Sequence, residues 1–115
     1  MDYSKLDAVE GLDYNKSLKA LSGLKPLYEK VLKLFVNSFS ENVDKLNNAV
    51  DGEPFTIEIH SFKSSLRNIG LFDLGDIAQE IEIHSKQNDY DYCKQETPKL
   101  ISSTKAVIEK IQEAF

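Results

Sequence analysis

Between residues 27 and 50, apolar side chains recur every three or four positions: Leu27, Tyr28, Val31, Leu34, Phe35, Phe39, Val43, Leu46 and Val50. Charged residues such as Glu29, Lys30, Lys33, Glu41 and Lys45 fall mainly between them. A spacing near 3.6, sustained over about 25 residues, puts one apolar stripe on one long helix and does not suit a strand, whose period is two.

The rest of the chain keeps the same period. Only five Gly and three Pro punctuate 115 residues. Leu6, Val9 and Leu12 predict a short first helix. Asp13 or Asn15 is placed to cap a second, carrying Leu18 and Leu21 and stopped by Gly23. Asp51-Gly52 ends the long helix, and Pro54 suits the first helical position of the next, with Asp51 or Glu53 before it. That next helix, from Phe55 to Ile69, stops at Gly70. A further helix runs from Phe72 to Lys86 with Leu74, Ile77, Ala78 and Ile81 inward. Asn88-Asp89 breaks it, and Asp89 caps the last helix, which carries Cys93, Leu100, Thr104, Val107, Ile108, Ile111 and Phe115 on one face. Pro98 costs that helix the hydrogen bond to the Lys94 carbonyl and predicts a bend. No repeat or linker divides residues 1–115. The expectation is a single all-α domain, an antiparallel four-helix bundle with a short N-terminal helical extension.

Composition narrows the function. Fourteen Lys and Arg against 19 Asp and Glu leave a net charge of -5, which argues against a general nucleic-acid or anionic-membrane binder. One cysteine, Cys93, cannot form an internal disulfide, and no disulfide framework suits a reducing compartment. The N-terminus has no apolar run of signal-peptide type, and no stretch approaches the ~20 apolar residues that span a bilayer. A cytoplasmic location is expected, and Met1 with compact ends favours a free-standing protein.

One helix face does not belong to the core. With His60 at 0° and about 100° per residue, Phe55, Ile59, Phe62, Leu66 and Ile69 fall between roughly 180° and 260°. Lys63, Ser64 and Arg67 lie within about 60° of His60 by the same measure. The packing face is therefore opposite to a surface presenting His60, with Lys63 one turn on and Arg67 two turns on. Ile57 stands exposed one turn earlier, a candidate docking contact. An imidazole with a free nitrogen is a nucleophile, and neighbouring cations neutralise an anion placed on it, phosphate above all. A nucleophile with an anion clamp, but without a general base or cleft, suits a phosphate carrier better than a turnover enzyme. A plain solvated helix face is the other reading of the same spacing.

Other constellations carry less. His84 falls on the edge of the Ile77–Ile81 stripe and reads as a packing histidine. A metal site shared with His60 is not expected, because the two point differently. Glu80 and Glu82, and Asp73 and Asp76, read as a solvated face. Tyr90 and Tyr92 pack a loop. No Gly-rich phosphate loop is present, so no ATP site is expected.

The run His60-Ser61-Phe62-Lys63-Ser64-Ser65-Leu66-Arg67-Asn68-Ile69-Gly70 resembles the phosphoacceptor segment of histidine-containing phosphotransfer (HPt) domains. That pattern has an apolar residue two after the histidine, Lys three after it, small residues behind, and Gly ten after it. Gly11-Leu12 followed by Tyr28, Leu32 and Phe35 looks like the family's entry into its long helix. The stretch from Leu71 through Ile81-Glu82 looks like its next helix, ending in an apolar–Glu pair. The resemblance covers nearly the whole chain. It implies a non-enzymatic phosphocarrier in a multistep two-component phosphorelay. His60 would be the phosphoacceptor and Lys63 would help hold the phosphoryl group. Ile57, Ser64 and Arg67 would meet the partner.

The partners implied are receiver domains of response regulators or of a hybrid sensor kinase. The chain itself would hold no cofactor or metal, Mg²⁺ sitting on the receiver, and a monomer is the default. Nucleic acid and membrane are not expected partners. Two positions depart from the pattern. Ser64 stands where Gly is usual, and its hydroxymethyl group either restricts approach or donates to phosphate. Arg67 stands where a small residue is usual, and either joins the phosphate clamp or selects an acidic partner. The alternatives are a bundle of the same fold that binds a receiver without carrying phosphate, and a helical module unrelated to signalling.

Overall fold

The computed structural model describes residues 1–49 and 52–115. Every regular element among them is helical: α1 (Tyr3–Asp7), α2 (Tyr14–Ala20), α3 (Lys25–Asn48), α4 (Gly52–Ile69), α5 (Phe72–Lys86) and α6 (Tyr90–Gln112). The expected stripe position Val50 and the expected stop or cap at Asp51 lie outside the described residues. Also among these residues, no helix is long and apolar enough to cross a membrane.

Local chemistry sets the boundaries. Asp13 caps α2 by accepting from the Lys16 amide at 3.1 Å, and Asp89 caps α6 by accepting from the Tyr92 amide at 3.3 Å. Each satisfies an amide that has no partner within its own helix. α4 ends in a paired return: the Gly70 amide donates to the Arg67 carbonyl at 3.2 Å and the Leu71 amide to the Leu66 carbonyl at 2.9 Å. That closure needs a left-handed residue, and Gly70 supplies it with φ of 102°. It also lets α2 approach, since a Cβ at Gly70 would stand 2.5 Å from the Asp13 carbonyl oxygen. α6 runs through Pro98 as one helix.

The core joins Tyr28, Leu32, Phe35 and Leu46 of α3, Phe55, Ile59, Phe62, Leu66 and Ile69 of α4, Ala78 and Ile81 of α5, and Cys93, Leu100, Ile108 and Ile111 of α6. The Tyr28 hydroxyl, fully buried, donates to the Ile69 carbonyl at 2.8 Å and so ties the start of α3 to the end of α4. α4 and α5 run antiparallel, because their contacts descend in α5 as they ascend in α4. Thr56 meets Ser85, His60 meets Glu82, Lys63 meets Gln79 and Arg67 meets Asp76.

Four expected core positions are corrected. Leu27, Leu34, Ile77 and Phe115 are exposed, Leu34 the most at 59%. In α3 the buried set Tyr28, Leu32 and Phe35 fixes the inward direction, and Leu27 and Leu34 lie roughly 100° from its centre. Leu32, not counted in the expected stripe, takes the inward place. In α5 the inward residues are Gly75, Ala78, Ile81, Glu82 and Ser85, which turns Ile77 outward. Phe115 follows the end of α6, and the Lys33 ammonium lies over its ring at 5.7 Å.

Candidate functional site

His60 projects from the middle of α4 with its side chain 58% exposed. Its Nδ1 sits 2.9 Å from Oε2 of Glu82 on α5. Glu82 is 3% exposed. Lys63 Nζ lies 2.6 Å from its Oε1, and Lys86 Nζ lies 3.1 Å from its Oε2. Lys63 also donates to Oε1 of Gln79 at 2.8 Å. One buried carboxylate therefore gathers an imidazole and two ammonium groups.

The electrostatics follow. Burial by itself pushes the Glu82 carboxyl upward. The hydrogen bonds from Lys63, Lys86 and His60 outweigh it and hold the pKa at about 2. Glu82 is thus ionised at neutral pH, and a carboxylate only accepts hydrogen bonds. The proton between it and His60 then belongs to Nδ1. In the neutral ring that leaves the lone pair on Nε2, the nitrogen turned away from Glu82. The result is a fixed tautomer on a solvent-facing nucleophile. Thr56 and Ser85, hydrogen-bonded to one another one turn from His60 and Glu82, clamp α4 to α5 beside the pair.

Lys63 differs from expectation. It does not stand free in solvent: its side chain is 11% exposed. Its position on α4 borders the packing face, and its ammonium turns to Glu82 and Gln79 of α5. Glu82 is corrected too, from a solvated face to the buried centre of the site. Its signal was present, since it follows Ala78 by four and precedes Ser85 by three, on the inward stripe of α5. Gln79 has no sequence signal of comparable strength.

Arg67 is engaged away from His60. Its guanidinium bonds Oδ1 of Asp76 at 3.1 Å. A Cβ at Gly75 would stand 2.7 Å from Arg67 Cγ, so that glycine makes room for the arginine stem against α5. The Ser64 hydroxyl donates to the His60 carbonyl at 3.1 Å, within its own helix. Ile57 is exposed on the same side of α4 as His60. Among the five expected site residues, only His60 and Lys63 converge on one partner.

His84 lies elsewhere. Its Nδ1 is 2.8 Å from Oδ2 of Asp89, and its ring stacks on Tyr92 at 3.6 Å between centroids. It locks the α5–α6 turn. Among the described residues, no three His, Cys, Asp or Glu side chains gather as a metal site. No family model matches the chain, and neither does any curated protein or solved structure.

Proposed function

We propose that this chain is a phosphohistidine carrier of the HPt kind, with α3 to α6 forming its antiparallel four-helix bundle and α1 and α2 its N-terminal extension. One observation carries the reading: buried Glu82 holds His60 Nδ1 at 2.9 Å and leaves Nε2 as the uncommitted nitrogen of a side chain that is 58% exposed. The transfer is a displacement at phosphorus. The Nε2 lone pair attacks the phosphoryl group of a receiver's aspartyl phosphate, the bond from phosphorus to the aspartate oxygen breaks, and the aspartate leaves as a carboxylate. The ring becomes an N-phosphorylated imidazolium, whose Nδ1–H remains on Glu82 and whose positive charge Glu82 stabilises. The reverse step hands the phosphoryl group to a second receiver.

Mg²⁺ and most catalytic groups belong to the receiver in this reading. Lys63, three residues after His60 on the same helix, is within side-chain reach of a group on Nε2. Ile57 and Ser64 frame the approach, and Arg67 with Asp76 forms its lower edge. Compact helices and a buried ion cluster suit a carrier that moves little between its two states.

The test is to incubate the protein with phosphoramidate and with a panel of phosphorylated receivers, and to look for acid-labile, base-stable phosphate. Label that disappears in His60→Gln supports the carrier. A receiver that binds the chain while no donor ever labels it favours the non-carrying docking module instead.

A further inference from the structure

Lys63 presents a conflict. In the proposed reaction its ammonium serves the phosphoryl group on Nε2, yet in the resting protein it is tied to Glu82 at 2.6 Å and to Gln79 at 2.8 Å. If Lys63 leaves, a carboxylate only 3% exposed loses a cation at the moment that a dianion arrives on the neighbouring ring. A buried charge stripped of its partner is costly. One neighbouring group resolves this. Lys86, one turn after Glu82 on α5, lies 3.1 Å from Oε2. Its own side chain is 64% exposed, so it reaches Glu82 from solvent and has no other ion pair among the described residues.

We infer that Lys86 is a positioning residue: it keeps the Glu82 charge neutralised so that Lys63 is free to turn to the phosphoryl group. The inference rests on the carrier reading and adds to it a division of labour between two lysines. His60 Nδ1 and Lys86 share Oε2, while Lys63 alone occupies Oε1. Departure of Lys63 therefore leaves both Oε2 contacts intact. The last turn of α5 also suits a cation, since it faces the negative end of the helix dipole.

The test uses potassium phosphoramidate as donor, whose P–N bond breaks with release of ammonia as Nε2 takes the phosphoryl group. The rate of phosphohistidine appearance is followed by ³¹P NMR. Lys86→Gln should slow labelling about three- to fivefold, the scale of one partly exposed ion pair. Lys86→Arg should restore it. In a Glu82→Gln background, where there is no charge left to hold, Lys86→Gln should make no further difference. Simple attraction of the anionic donor by Lys86 would not give this dependence on Glu82, and an unchanged circular dichroism melt in Lys86→Gln separates slower transfer from a weakened fold.

Labelling of Lys86→Gln at the wild-type rate overturns the inference and leaves the carrier reading standing. An equal slowing with and without Glu82 also overturns it, because the effect would then be general attraction for the donor. Should Glu82→Gln fail to fold, the contrast between Lys86→Gln and Lys86→Arg decides. A wild-type protein that no donor labels overturns the carrier reading itself, and this inference with it.

Discussion

His60 Nδ1 and Glu82 Oε2 stand 2.9 Å apart across the α4–α5 interface. One ring nitrogen is committed to a buried carboxylate, and the other faces outward on a side chain that is 58% exposed. The antiparallel pairing sets this relationship. Gly70 turns the chain at the end of α4, and each turn back along α5 meets a turn of α4 already passed. His60 and Glu82 form one rung of that ladder, between Thr56–Ser85 and Lys63–Gln79.

Replacing Glu82 by Gln should release the tautomer. A carboxamide carries both donor and acceptor atoms and no charge, so the preference for Nδ1–H weakens. Long-range ¹H–¹⁵N correlation of the neutral His60 ring should show a dominant Nε2 lone pair in the wild type and a mixture in Glu82→Gln. An unchanged tautomer ratio would mean that Glu82 does not orient the ring.

Acid should loosen the domain through the same residue. Glu82 titrates at about 2 in the fold against an ordinary value of 4.5. A depressed carboxyl pKa means that the unfolded chain binds the proton more tightly, so the stabilisation is present in full above about pH 4.5 and is lost as pH falls towards about 2. The shift corresponds to roughly 3 kcal/mol. Urea unfolding over that window should show a steep loss of stability in the wild type and a shallower one in Glu82→Gln. Parallel curves would contradict the depressed pKa.

Lys63→Ala should both slow labelling of His60 and destabilise the fold. The sequence placed Lys63 on the solvent-facing side of its helix, beside His60. The structure puts its ammonium on a buried carboxylate, so removing it should cost about 1–3 kcal/mol, a fall in Tm of roughly 4 °C or more. An unchanged melting curve would return Lys63 to the solvent.

Two leucines test the phase of the core. Leu66 is fully buried on α4 and Leu34 is exposed on α3. Leu66→Ala should cost about 2–5 kcal/mol, and Leu34→Ala should change stability by less than about 0.5 kcal/mol. Chemical denaturation of both variants gives the comparison, and similar costs would mean that the faces are assigned wrongly.

The helices and the exposed histidine were legible because they depend on local spacing. Phe62 and Ile69 lie opposite His60 on a simple wheel, and Asp13, Gly70 and Asp89 mark ends by their own backbone chemistry. The buried half of the site was not. Glu82 occupies an inward position of α5, where an acidic residue is stable only if cations meet it, and those cations come from another helix and from one turn on. Residue type argued for solvent, and the tertiary partners His60, Lys63 and Lys86 overrode it. The same cause moved Lys63, whose flexible stem lets a neighbouring charge decide where the ammonium goes. Leu27 and Leu34 show the opposite error, in which apolar residues at the edge of a stripe counted as core.

Site-resolved identification of the phosphorylated atom decides whether His60 carries phosphate. The protein labelled by phosphoramidate or by a phosphorylated receiver is examined by ³¹P–¹H and ¹⁵N NMR, beside His60→Gln treated identically. If His60 is the carrier, one phosphoryl group sits on its Nε2, with Nδ1 still protonated, and the variant carries no label. Label retained in His60→Gln, or carried on Nδ1, would contradict that assignment.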